Sequence, residues 1–168
     1  MRTTLNQIRK HSPCRDGWEK LLRGLGKTAA DDETLWIDEV LNISGLDDAI
    51  WCFRSVEGCD REIRLYAVWC ARRVQHLMTD PRSVAALDVA ERFARGEASD
   101  AELAAARTLA ETGAWAAEAA AAPAAAWAAG AVAGASAWAA KWADYYTERA
   151  AQAEEMRRIC REMRETKP

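Results

Sequence analysis

The side chains that could do chemistry in this sequence include two adjacent arginines and a nearby histidine. Arg72, Arg73 and His76 fall within five positions of a segment that has helical periodicity. They could line a pocket, or they could pair with acidic neighbours such as Asp80. Pairing is the favoured interpretation. The histidine has no second histidine, nucleophile or clear carboxylate partner in the sequence, so it is poor evidence for catalysis. We therefore predict no catalytic residue and no enzyme activity.

Cysteine and histidine could also bind a metal ion, but their spacing argues against it. The chain has five cysteines and two histidines, and the spacing of Cys52 and Cys59 matches no common zinc pattern. We expect no metal and no cofactor. An odd number of cysteines without a signal peptide predicts a reducing cytoplasmic compartment, in which Cys52 and Cys70 are small core residues.

A strip of positive charge lies on the predicted second helix. Ser12 is expected to cap this helix, with Pro13 at its first position. Arg15, Lys20 and Arg23 then lie opposite the apolar side of the helix. This strip could contact an anion such as a phosphate, or it could be a solvated face, which is the favoured interpretation.

The charge changes sign within the first 60 residues. Residues 1–30 carry seven basic and two acidic side chains, whereas residues 31–60 carry one and nine. These segments could pair internally or present two faces to a partner. The net charge of the whole chain is −3, so it exerts no general attraction on nucleic acid, and we do not expect nucleic acid as a partner.

The most unusual composition occurs in residues 114–143, where alanine takes 19 of 30 positions. Alanine is the strongest helix former, so the stretch is predicted to be helical and kinked or broken near Pro123. Trp127, Trp138 and Trp142 then form one stripe. The favoured interpretation is an internal close-packing helix, and the alternative is a face that binds a ligand or partner. A membrane span is not expected, because the stretch contains no Leu, Ile or Phe.

Start signals divide the rest of the chain into helices. The acidic residues at 31–33 are expected to begin one helix, Ser44 to cap the next, and Asp60 to cap a central core helix. Ser99 and Glu102 form a capping box at the start of the C-terminal part. No convincing strand is present. The sequence thus predicts an all-α multi-helix bundle, one domain over 1–168 with segments 1–60, 61–98 and 99–168.

Four motifs within residues 60–150 carry a resemblance to known proteins. RLYAVWCA at 64–71 is followed by DPR at 80–82, ERFARGE at 91–97 and DAEL at 100–103, which leads into the alanine-rich helices. This pattern resembles a bacterial family of immunity proteins of toxin systems, and it is similar to phage and prophage proteins rich in alanine and tryptophan. The resemblance implies an all-helical fold and a neutralising role, in a host bacterial cytoplasm if the chain is phage-encoded. The immunity family tends to carry histidine where this chain has tryptophan, so no site residue is transferred.

Three functions remain open at this stage. The first is a non-catalytic binding protein that neutralises a toxin or a host-defence component by direct contact, with exposed tryptophans as anchors. The second is a protein that sequesters a nucleotide by tryptophan stacking and arginine or lysine contacts. The third is a structural role through homo-oligomerisation, in which the alanine-rich face is covered by a second copy. The candidate binding residues are Arg15, Lys20, Arg23, Arg72, Arg73, His76, Trp127, Trp138 and Trp142.

Overall fold

Helices make up most of the described chain, and the predicted all-α class is confirmed. The computed structural model describes residues 1–77, 81–111 and 142–166, which contain eight α-helices. Pro123, Trp127 and Trp138 lie outside these ranges, as does the side chain of Trp142. The kink or break near Pro123 and the indole stripe therefore stay predictions.

The chain divides into two compact units. Unit 1 consists of Met1–Cys59 together with Ala151–Pro168, and unit 2 consists of Asp60–Ala150. The interpretation of residues 1–168 as a single domain, with the three segments given above, stays a prediction.

Unit 1 contains four short helices, a pair of very short strands and the end of the last helix. The elements are β1 (Arg2–Thr3), α1 (Leu5–Lys10), α2 (Arg15–Gly24), β2 (Leu35–Trp36), α3 (Ile37–Ser44), α4 (Leu46–Trp51) and a 3-10 turn (Cys52–Ser55). The strands pair antiparallel, with Arg2 opposite Trp36, which corrects the expectation that no strand is present. Helix α2 packs on α3, and α3 packs on α4.

The second helix begins later than the sequence predicts. Ser12 does not cap it: Ser12 has a φ of 54°, and its N–H donates to the Arg9 carbonyl at 3.1 Å. The residue therefore completes the end of α1. Helix α2 begins at Arg15, and the Sγ of Cys14 accepts the Gly17 N–H at 3.4 Å. A thiol thus occupies the capping position that a hydroxyl was expected to take.

The third helix also begins later than predicted, at Ile37 and not at residues 31–33. Asp31 and Glu33 instead hold the Lys27 ammonium, at 2.6 and 2.7 Å. The hydrogen bond to Asp31, then the one to Glu33, raises the pKa of Lys27. The Trp36 N–H donates to Glu39 Oε2 at 2.7 Å at the actual start of α3, in the manner of a capping box.

Ser44 is the last residue of α3 and does not cap the helix that follows. Gly45 separates α3 from α4 with a φ of 97°, a backbone conformation that residues with a side chain rarely adopt. The connection is this single glycine, and α4 begins there without a side-chain cap.

Unit 2 contains α5 (Asp60–Arg73), a 3-10 turn (Gln75–Leu77), α6 (Pro81–Ala94), α7 (Asp100–Glu111) and the start of α8 (Trp142–Thr166). Helix α5 packs on α6, and α6 packs on α7. Asp60 is the first residue of α5 and not its cap. The capping box of α7 is confirmed: the Ser99 N–H donates to Glu102 Oε2 at 2.8 Å, and the Glu102 N–H donates to Ser99 Oγ at 3.2 Å.

Candidate functional site

The basic strip predicted on α2 consists of side chains in three different settings. Arg15 is exposed and donates to Glu19 at 2.7 Å, one turn along the same helix. Lys20 donates to the Ser44 carbonyl at 2.8 Å, at the end of α3. Arg23 is exposed. Exposed pairs such as Arg15 with Glu19 contribute little to stability, so Arg15 and Arg23 are the members of the strip that can reach a partner at low cost.

The second predicted basic set lies at the end of α5, in unit 2, and its arginines are held by carboxylates. Arg72 Nη2 contacts Asp88 at 2.6 Å and Glu91 at 2.9 Å, and Arg73 contacts Glu148 at 2.6 Å. The hydrogen bond to Asp88 raises the pKa of Arg72, and the one to Glu148 raises that of Arg73. These contacts agree with the pairing interpretation, with carboxylates more distant in sequence than Asp80, which lies outside the described residues.

His76 is the remaining member of this set. It lies in the 3-10 turn after α5 and is exposed. Within residues 1–77, 81–111 and 142–166, no three His, Cys, Asp or Glu side chains are grouped so that they could hold a metal ion.

Four of the eight tryptophans have described side chains, and all four are half-buried. Three have a guanidinium over the ring: Arg54 over Trp51 at 4.3 Å, Arg164 over Trp36 at 4.4 Å, and Arg73 over Trp69 at 5.0 Å. The fourth, Trp18, lies on α2. Indoles that are half-buried combine a fixed orientation with an accessible edge, which suits them to recognition.

A cavity of about 50 Å³ brings two of these indoles together in unit 1. Its walls come from α1, α2, α3, α4 and the segment between α1 and α2. The wall residues that matter here are Cys14, Trp18, Leu21, Ser44, Asp48 and Trp51. The size is about a third of an engineered cavity that holds benzene, so it accommodates the end of a side chain but no aromatic ring.

Two polar side chains in the cavity wall make no hydrogen bond with the part of the chain that the structure describes. Ser44 is 8 % exposed, and its Oγ makes no hydrogen bond. Asp48 is half-buried, and its carboxylate makes no hydrogen bond or ion pair with any described residue. Polar groups in such surroundings normally have partners. The Asp48 carboxylate therefore places a negative charge at the cavity, whereas the Ser44 Oγ is enclosed and is not accessible from it.

Neighbouring residues leave the Asp48 carboxylate accessible to the cavity. Gly17 has no side chain, and a Cβ there would lie 3.5 Å from both carboxylate oxygens. Burial, then the charge of Asp48, raises the pKa of the Cys52 thiol to about 12, so that thiol stays protonated. Cys14 is exposed and the other four cysteines are buried.

Sequence reasoning missed this cavity. Ser44 was interpreted as a helix cap, which is a local interpretation, and Asp48 was not among the candidate binding residues. Because the cavity depends on how α2, α3 and α4 pack, no spacing within one segment indicates it.

Comparison with known proteins finds no match. No family model, no curated protein and no solved structure is similar to the chain. The resemblance to immunity proteins and to phage proteins stays a prediction. In the part of the chain that the structure describes, no helix has both the length and the apolarity that a bilayer span requires.

Proposed function

We propose that the protein is a non-catalytic binding protein that neutralises a protein partner, a toxin or a component of a bacterial defence system, by direct contact. Unit 1 provides the recognition face. The observation that carries this proposal is the cavity where Trp18 and Trp51 meet Asp48, whose carboxylate pairs with none of the described residues. Tryptophan dominates the energetics of protein interfaces, and hot spots are cavities and anchors of this kind.

The charge around the cavity fits an encounter with a protein. Exposed Arg15 and Arg23 lie on α2, the helix that also provides Trp18. Opposite charges close to an aromatic anchor steer association and exclude wrong partners. The resemblance to immunity proteins, which act by binding, points to the same class.

Sequestration of a nucleotide is less well supported by the same cavity. A purine is larger than benzene, and the cavity holds about 50 Å³. Titration of the protein with ATP tests this alternative through tryptophan fluorescence and thermal midpoint, and a saturable change in both would favour it over the proposal.

The proposal is tested by retrieving a partner and then altering the recognition face. Immobilised protein is expected to retain one stoichiometric protein from a bacterial lysate. Trp18→Ala is expected to weaken the affinity for that protein by at least about tenfold, as hot-spot tryptophans do.

Trp69→Ala is the matched control, because Trp69 is equally half-buried but belongs to unit 2. Circular dichroism must show both variants folded. Failure to retain any stoichiometric protein would contradict the proposed function. Equal weakening by the two variants would show that unit 1 is not the recognition face.

A further inference from the structure

We infer that unit 1 contains a binding site for a copper(I) ion, formed by the amino group of Met1, the thiol sulfur of Cys160 and the thioether sulfur of Met163. The inference goes beyond the proposed function and does not depend on it. It revises the expectation that the chain binds no metal ion. Three observations carry it: the kinds of atom that converge, the distances between them, and the contacts that hold them.

The donor atoms come from residues far apart in the sequence. The Met1 amino group lies 3.1 Å from Met163 Sδ and 3.9 Å from Cys160 Sγ. These sulfurs are its acceptors in the part of the chain that the structure describes. Thiol and thioether sulfur are weak hydrogen-bond acceptors, but they are strong ligands for a soft metal ion. The three atoms therefore suit a metal ion better than they suit an ammonium.

The distances agree with bonds to a shared ion. Typical bond lengths for a metal ion in proteins are about 2.0 Å to nitrogen and about 2.3 Å to sulfur. With bond angles between about 90° and 150°, these lengths separate the nitrogen from a sulfur by about 3 to 4.2 Å. Both measured distances fall in this range, so each sulfur can share an ion with the nitrogen.

The fold holds the donors in place. Met1 is fully buried, and its carbonyl accepts the Ile37 N–H at 3.1 Å, beside the pairing of β1 with β2. Cys160 and Met163 are three positions apart on α8, so they lie on one face of that helix. A bidentate ion pair joins the next residue of α8 to the start of α3. Ligands that are already positioned lose little conformational freedom when they bind.

The donor types select copper(I). Zinc sites use Cys, His, Asp and Glu, and iron–sulfur clusters need several thiolates, whereas this site has one thiol and one thioether. Thiolate and thioether sulfur favour copper(I). On binding, the ion displaces one proton from the ammonium and one from the thiol, so the site changes from one positive charge to none. A neutral group of atoms is less costly to bury.

The experiment titrates the whole reduced protein with copper(I) under argon, in competition with the copper(I) chelator bathocuproine disulfonate. Every protein carries Cys14→Ser, because the exposed Cys14 thiol could bind copper by itself. The protein should withdraw one copper(I) per chain from the chelator. Binding should produce the ultraviolet absorption of a copper–thiolate bond and should raise the thermal midpoint, because the ion binds the folded state.

Met163→Leu removes the thioether and keeps an apolar side chain. It should weaken copper(I) binding by at least about tenfold, because even the loss of an indirect contact to a metal costs about that much. Met156→Leu is the matched control, since Met156 is fully buried on the same helix, and it should leave the affinity unchanged. Cys160→Ala should abolish the copper–thiolate absorption.

One glycine added before Met1 converts the amine to an amide and leaves every side chain in place. It should also weaken binding by at least about tenfold, and it tests the site even if Cys160→Ala does not fold.

Unchanged copper(I) affinity of the Met163 variant or of the glycine-extended protein would overturn the inference. Tighter binding of zinc(II) than of copper(I) would overturn the choice of metal. Absence of Met1 from the purified protein, measured by intact mass, would overturn the site as well, since the nitrogen donor would be missing. A copper site in a protein that retains no partner from a lysate would contradict the proposed function and leave this inference intact.

Discussion

The ion pair between Asp38 and Arg164 gives the sharpest test of how unit 1 is held together. Asp38 is 9 % exposed, and its two carboxylate oxygens accept from Arg164 Nη1 at 2.7 Å and Nη2 at 2.8 Å. The same guanidinium lies 4.4 Å from the centre of the Trp36 ring. This bidentate contact fixes the end of α8 to the start of α3. The perturbation that isolates it is Arg164→Met, which keeps an apolar chain over the indole but removes the charge.

The magnitude follows from the burial of the two partners. Breaking a fully buried pair costs about 3–5 kcal/mol, because it leaves a charge without a partner, whereas exposed pairs contribute about 0–1 kcal/mol. The Arg164 side chain is 35 % exposed and the Asp38 side chain 12 %. We therefore expect a loss of about 2 kcal/mol. For a chain of this length that corresponds to a thermal midpoint lower by about 4–8 °C.

Urea unfolding followed by tryptophan fluorescence and circular dichroism measures this loss. Arg158→Met is the control on the same helix, because Arg158 contacts Glu155 and Glu162 at the surface and is 48 % exposed. It should cost less than about 1 kcal/mol. Combined with Asp38→Asn, the Arg164 variant should cost less than the sum of the two single changes by about 1 kcal/mol. Equal losses in the Arg164 and Arg158 variants, or strict additivity, would refute the reasoning.

Three further outcomes are expected elsewhere in the chain. Gly24→Ala should destabilise by about 1–3 kcal/mol, because a Cβ there would overlap the Ile43 side chain. In an Ile43→Ala background, Gly24→Ala should leave the free energy of unfolding in urea unchanged or raise it. An equal loss of stability in both backgrounds would contradict the close approach of Gly24 to the Ile43 side chain. Ellman's reagent should titrate one fast-reacting thiol in the native protein, because Cys14 is the exposed cysteine. Cys14→Ser should abolish this fast phase. Two fast-reacting thiols would contradict the burial of the other four cysteines. The hydrogen bonds from Ser99 hold the pKa of Glu102 below its ordinary value of 4.5. The stability that the Glu102 carboxylate contributes is therefore complete above pH 4.5 and is lost as the pH falls through its lower pKa in the folded state. Glu102→Gln should flatten the fall of the thermal midpoint between about pH 6 and pH 3, and an unaltered pH profile would show that this carboxylate does not contribute.

The sequence predicted features that depend on neighbours along one helix. The all-α class follows from apolar periodicity and strong helix formers. The capping box of Ser99 and Glu102 follows from a spacing of three residues. The class and the capping box survive because their physical causes act within one or two turns of chain. Pairing of Arg72 and Arg73 was also expected, but packing decided the partners, because Asp88, Glu91 and Glu148 are distant in sequence.

Features that depend on which elements meet were decided by the tertiary structure. Serine is a preferred residue at the start of a helix, so Ser12 and Ser44 were predicted as caps. In the structure Ser12 instead follows the end of α1, and Ser44 is the last residue of α3. Residues 31–33 look like a helix start, but Lys27 holds two of their carboxylates.

The candidate site shows most clearly the difference between what the sequence predicts and what the tertiary structure decides. The sequence by itself predicted tryptophan and charged residues as the candidates for a binding function. Asp48 became a candidate only because packing of α2 on α3 and of α3 on α4 encloses its carboxylate with Trp18 and Ser44. A side chain's type is encoded at one position, whereas its lack of a partner is a property of everything folded around it.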